Sequence, residues 1–123
     1  MVLLFLHRNK QREKGVMGLD EYIDKFKGVG VDCSWLVPRV EFNDGFSVSI
    51  QCSEYHYSTP RGDVDADLYT RYELGYPSEL DSILDGLGED DGTKETVFPY
   101  IEKSIVENLI LKHGGIKGVF KRD

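Results

Sequence analysis

Hydrophobic positions recur at two periods along this chain, and each period marks a kind of element. Leu19, Tyr22, Ile23 and Phe26 fall three or four residues apart, which lines them up on one face of a helix over Leu19–Phe26. Lys25 and Lys27 suit its C-terminal end, and Gly28 and Gly30 stop it. Farther on the period drops to two. Val48, Ile50 and Cys52 alternate with Ser47, Ser49 and Gln51, so Phe46–Cys52 is predicted as a strand with one apolar face. Trp35–Phe42 is predicted as the strand before it. Asn43-Asp44-Gly45 lies between them and supplies the positive-φ positions of a tight hairpin. Pro38 gives no ladder hydrogen bond, so it belongs at an edge, a bulge or the strand start.

The second half alternates in the same way. Leu68–Gly75 is predicted as a third strand, with Tyr69, Arg71 and Glu73 on one face and Tyr72 and Leu74 on the other. Pro77-Ser78 is expected to open a short helix. Ser78 and Asp81 stand at capping-box spacing, and Leu80, Ile83, Leu84 and Leu87 form its apolar stripe. Thr96–Ile101 is a fourth strand, put at an edge by Pro99. A last helix runs from Glu102 to His113 around Ile105, Val106, Leu109 and Ile110, and Gly114 and Gly115 end it. Lys117–Asp123 is expected to fray. The order implies an α+β fold, with a mostly antiparallel sheet of about four strands and two or three packed helices.

A length of 123 residues fits one domain, assigned to residues 17–123, with residues 1–16 as a loose extension before Met17. An added strand over Val2–Leu6 is the competing reading. That apolar run is too short for a signal core or a membrane span, so a cytoplasmic location is expected.

The charge is uneven. The net value is −7, yet Arg8, Lys10, Arg12 and Lys14 make the first stretch basic. Between Asp63 and Glu95, eleven carboxylates face only Arg71 and Lys94. Such a field repels nucleic acid and membrane phosphates and attracts a basic surface. Direct nucleic-acid binding and membrane binding are therefore not expected. Asp63, Asp65, Asp67, Glu89, Asp90 and Asp91 are the candidate contacts to a basic partner. Tyr55 and Tyr57, with Trp35, His56, Arg39 and Arg61 near them in sequence, are candidate anchors, because Trp, Tyr and Arg dominate interface hot spots.

No catalytic motif stands out, and no cofactor is expected. Cys33, Cys52 and His56 are the alternative: a zinc set, completed by His113 or His7. Against it, Cys33 stands alone and Cys52 falls on the apolar face of its strand, where a thiol packs as a small hydrophobe. Cys-His catalysis is disfavoured too, since four residues of extended chain separate Cys52 from His56 by roughly 13 Å. Asp63-x-Asp65-x-Asp67 starts like a calcium loop but meets Leu68 where Gly is needed and Leu74 where Glu is needed.

The words DCSWLVPRVEF-NDGFSVSIQCSEYHYSTPR, YELGYPSE and IVENLILKHGG resemble a group of small proteins common in phages and prophages of Gram-positive bacteria. The resemblance covers roughly Leu19 to Ile116 and leaves out the first 16 residues. It implies a small α+β domain without an enzyme motif, in a setting where small acidic proteins block host machinery. Anti-CRISPR proteins are the obvious class. The expected function is thus a phage-encoded acidic protein that inhibits a bacterial defence nuclease by charge mimicry, not an enzyme. A small zinc-binding protein, or an accessory phage protein acting through oligomerisation, is the alternative.

Overall fold

The computed structural model describes residues 16–121. The expected extension over residues 1–16, Val16 apart, and the strand reading of Val2–Leu6 lie outside the described residues. In chain order the elements are α1 (Leu19–Phe26), β1 (Val40–Phe42), β2 (Ser47–Gln51), β3 (Arg71–Gly75), β4 (Val97–Glu102), α2 (Lys103–Lys112) and β5 (Ile116–Val119). Short 3-10 turns occupy Ala66–Leu68 and Ser82–Leu84. The strands form one sheet in the order β4-β3-β2-β1-β5, and every pairing is antiparallel. The fold is α+β, with five strands where the hydrophobic pattern suggested four.

Side chains alternate across the sheet, so one face is apolar. Val40, Phe42, Val48, Ile50, Tyr72, Leu74, Phe98 and Ile101 are buried there. Leu19, Tyr22 and Ile23 of α1 and Val106 and Leu109 of α2 complete the same cluster. The Tyr22 hydroxyl would be costly to bury unpaired, and it donates to the Pro38 carbonyl at 2.8 Å. The hairpin forms as expected. Gly45 takes φ +95, its N–H donates to Phe42 O at 3.0 Å, and Phe42 N–H donates to Phe46 O at 2.8 Å. Pro38 precedes β1, and Pro99 lies in β4 at the sheet edge.

Four expectations are corrected. The first strand begins at Val40, not Trp35, and β3 begins at Arg71, not Leu68. The expected helix after Pro77 is only the 3-10 turn Ser82–Leu84, capped by Asp81 through Ile83 N. Ser78 cannot cap it, because its N–H donates to Ser47 O and its Oγ accepts from Ser47 N. Leu80 is consequently 62% exposed, while Leu84 is buried. Last, the tail does not fray at Lys117: Ile116 pairs with Phe42 and Val119 with Val40, which makes β5.

The edge strand β4 carries a bulge. Tyr72 pairs with Ile101 and Leu74 with Phe98, so β4 has one residue more than β3 over this stretch. Tyr100 sits in the bulge at φ +55, and Tyr76, just past β3, at φ +52. A left-handed conformation costs a side-chain-bearing residue roughly 1–2 kcal/mol.

Candidate functional site

The strands and α2 define two ends of the molecule, and the acidic residues divide between them. β3 starts and β4 finishes at one end, where α2 also begins. Here Asp65 and Asp67 stand exposed on either side of Ala66. Their turn packs on α1, and the two share an open hollow of about 460 Å³ with Asp20, Glu21 and Asp24. Asp20 is held by Lys103, the first residue of α2, at 2.8 Å. Asp63 is exposed and lies 3.8 Å from Lys27 Nζ. The loop carrying these acids is pinned from beneath. The buried Tyr69 hydroxyl donates to Gly62 O at 2.6 Å and accepts from Val64 N at 3.3 Å. Lys27 Nζ donates to Tyr69 Oη and to Cys52 O, at 3.2 and 2.6 Å.

Glu89, Asp90 and Asp91 lie at the opposite end, where β3 finishes and β4 starts. Glu89 N donates to Val97 O at 2.9 Å, and Asp90 N to Thr96 Oγ1 at 3.1 Å. Asp85, Asp90 and Asp91 rim a small cleft floored by Leu84 and Phe98. The ten residues of α2 run from one end to the other, roughly 15 Å at 1.5 Å per residue. The acidic run from Asp63 to Glu95 therefore does not form one arc. Chain traversal along β3 leaves Asp63, Asp65 and Asp67 at one end and carries the carboxylates that follow Glu73 to the other.

Tyr55 and Tyr57 stand with the first group. Both are exposed, on the tight turn after β2. Tyr57 N donates to Glu73 Oε1 at 3.0 Å, which sets the turn over the face of the sheet away from the helices. The bulge brings Tyr100 to it: Tyr100 N donates to Tyr57 O at 3.0 Å, and their rings lie 5.6 Å apart. Arg61 sits over the Tyr57 ring at 5.3 Å. Trp35 and Tyr55 pair at 4.6 Å. The sequence reading missed Tyr100 and Glu73. The available signal was Pro99-Tyr100 inside a strand, which marks a bulge that can turn a side chain outward.

Cys33, Cys52 and His56 are not assembled as a metal set. Among the described residues no three His, Cys, Asp or Glu side chains converge on one point. Cys52 is fully buried, and burial pushes its thiol up to about 11, with Lys27 only partly opposing. It stays a thiol at neutral pH, and thiolate is the nucleophile and the ligand. His56 Nδ1 is 2.7 Å from Ser53 Oγ, and burial lowers its pKa.

His113 has a role that helix periodicity did not reveal. It is buried at the end of α2, with Nδ1 2.6 Å from Asp44 Oδ2 and Nε2 2.6 Å from Asp81 Oδ2. Only the imidazolium has two N–H donors for two carboxylates. Burial works to lower its pKa, but the bonds to Asp81 and Asp44 outweigh it and leave the pKa raised. Phe46 stacks on the ring at 4.0 Å, and Lys112 Nζ reaches Asp81 Oδ1 at 3.0 Å. Hairpin tip, 3-10 turn and α2 are thereby clamped together.

Comparison of the chain with protein-family models, with curated proteins and with solved structures finds no match in any of the three. No helix among the described residues is long and apolar enough to cross a membrane.

Proposed function

We propose that this chain is an acidic binding protein, without chemistry of its own, that occupies the nucleic-acid site of a basic host protein. A bacterial defence nuclease of the RNA-guided kind is the target class that the phage-protein resemblance implies. One observation carries the reading. Asp65 and Asp67 gather with Asp20, Glu21 and Asp24 around a single hollow at one end of the molecule, the end that also bears Asp63 and the exposed Tyr55 and Tyr57. Closely set carboxylates on a rigid support stand in for a row of phosphates, and Lys and Arg side chains that neutralise phosphates would meet them. Asp67 and its neighbours supply attraction, and the tyrosines supply contact area. Glu89, Asp90 and Asp91 add to the long-range field from the far end.

The test is a pull-down with the tagged protein from a lysate of the bacterial host, washed at low and then high salt. A nuclease that is retained at low salt, leaves at high salt, and is missed by the Asp65→Asn/Asp67→Asn variant is the expected result. Capture that ignores both salt and this variant removes charge mimicry.

A further inference from the structure

We infer that the sheet face away from the helices carries a receptor for cationic side chains, and that Tyr57, Tyr100, Trp35 and Tyr55 take an arginine of the partner. This rests on the reading of the partner as basic, and goes beyond it by assigning the anchoring contact to the rings instead of the acids. Three observations meet at this place. The rings are exposed in spite of their size: Trp35 by 37%, Tyr57 by 41%, Tyr100 by 44% and Tyr55 by 59%. Two pairs form, Trp35 with Tyr55 and Tyr57 with Tyr100, and Tyr55 and Tyr57 stand on one turn. A carboxylate is built in beside Tyr57, since Glu73 Oε1 accepts from Tyr57 N at 3.0 Å.

Aromatic faces beside a carboxylate bind cations, because ring quadrupole and anion act together. Arginine suits better than lysine, since its planar guanidinium stacks and is less strongly hydrated. The chain already makes this contact within itself, with Arg61 over Tyr57, so a partner arginine takes the place of Arg61 on that ring. The complement in charge is present as well: a net −7 protein favours a cationic partner over an anionic one. The backbone conformation of Tyr100 adds weight. At φ +55 glycine would sit without strain, yet the position holds a large ring that is nearly half exposed.

Trp35 is the single tryptophan of the chain, so its fluorescence reports from the receptor itself. The experiment is a low-salt titration with a nine-arginine peptide and, in parallel, a nine-lysine peptide. Wild type is expected to saturate with arginine and to bind lysine several-fold more weakly. Tyr57→Leu/Tyr100→Gly should lose about tenfold in arginine affinity and the preference for arginine with it. Tyr100→Gly alone guards against misfolding, because that backbone accepts glycine, and it should show the same loss in part. Asp65→Asn/Asp67→Asn should weaken both peptides alike and keep the arginine preference. Equal arginine binding by wild type and both ring variants overturns the receptor while leaving the acidic reading standing, provided the Asp variant binds less. Absence of saturable binding by wild type overturns both.

Discussion

Gly28 shows how one residue fixes the turn out of α1. Its φ is +81, and a Cβ there would come 2.8 Å from Ser34 O. Its N–H also donates to Leu36 O at 2.7 Å. Gly28→Ala should therefore cost about 1–3 kcal/mol, seen as a lowered urea midpoint. Gly45 also has a positive φ but open space around it. Gly45→Ala should cost only the conformational part, roughly 1 kcal/mol. Equal losses at the two sites would mean that the Ser34 contact contributes nothing. Burial decides a second pair in the same way. Leu84→Ala removes a buried side chain and should cost about 2–5 kcal/mol, whereas Leu80→Ser, at 62% exposure, should leave thermal unfolding nearly unchanged.

Elements are joined by His113, and the joint depends on pH. The His113 pKa is raised in the folded protein, so its contribution is complete below the unfolded value near 6.5 and fades as pH climbs through the folded value. Asp44 is lowered first by the Phe46 N–H and then by His113. For Asp81, burial opposes, but Ile83 N–H, His113 and Lys112 prevail and lower it. The two carboxylates contribute fully above about pH 4 and lose this as pH falls. The clamp is thus strongest from about pH 4 to 6.5. His56 has the opposite sense, since burial holds its folded pKa down and it adds stability as pH rises towards about 6.5. Above pH 6.5, wild type should lose urea stability as pH rises, while His113→Gln stays flat. Parallel curves would remove the imidazolium clamp.

Periodicity located these elements well where a face is continuous. The stripe of α1 and the alternation of β2 each report a single buried surface, and Asn43-Asp44-Gly45 reports local turn geometry. It failed where tertiary partners decide. Ser78 pairs with Ser47 rather than capping a helix, and β5 exists because β1 offers it a ladder, which no local pattern in Lys117–Val119 announces. The same holds for the candidate site. Exposure of Asp65, Asp67, Tyr55 and Tyr57 followed from their place in polar turns, but the company of Asp20, Asp24 and Tyr100 depends on packing across the chain.

At the scale of the whole molecule, charge has two poles. Asp65 and Asp67 with α1 occupy one end, and Glu89, Asp90 and Asp91 the other, with the length of α2 between. A partner site docked at one pole leaves the other at a distance, so the two groups should act on different rates. Once the partner is in hand, Asp65→Asn/Asp67→Asn should speed dissociation as well as slow association. Glu89→Gln/Asp90→Asn/Asp91→Asn should slow association alone, and less so as salt rises. Surface plasmon resonance at two ionic strengths separates these outcomes, and a dissociation effect confined to the second variant would move the interface to the β4 entry.

The strand order carries a kinetic meaning. β2, β3 and β4 each lie beside the strand before them in sequence, so their pairings close comparatively short loops. β5 instead returns to β1, with Val119 opposite Val40, across about three quarters of the described chain. Loop closure of that span is the most costly in entropy and brings its reward late. β5 should dock last and open first, and the Met17–Ile116 bridge should open with it. In native-state hydrogen exchange, the amides of Ile116–Val119 would then exchange through a partial opening that leaves those of β2 and β3 protected.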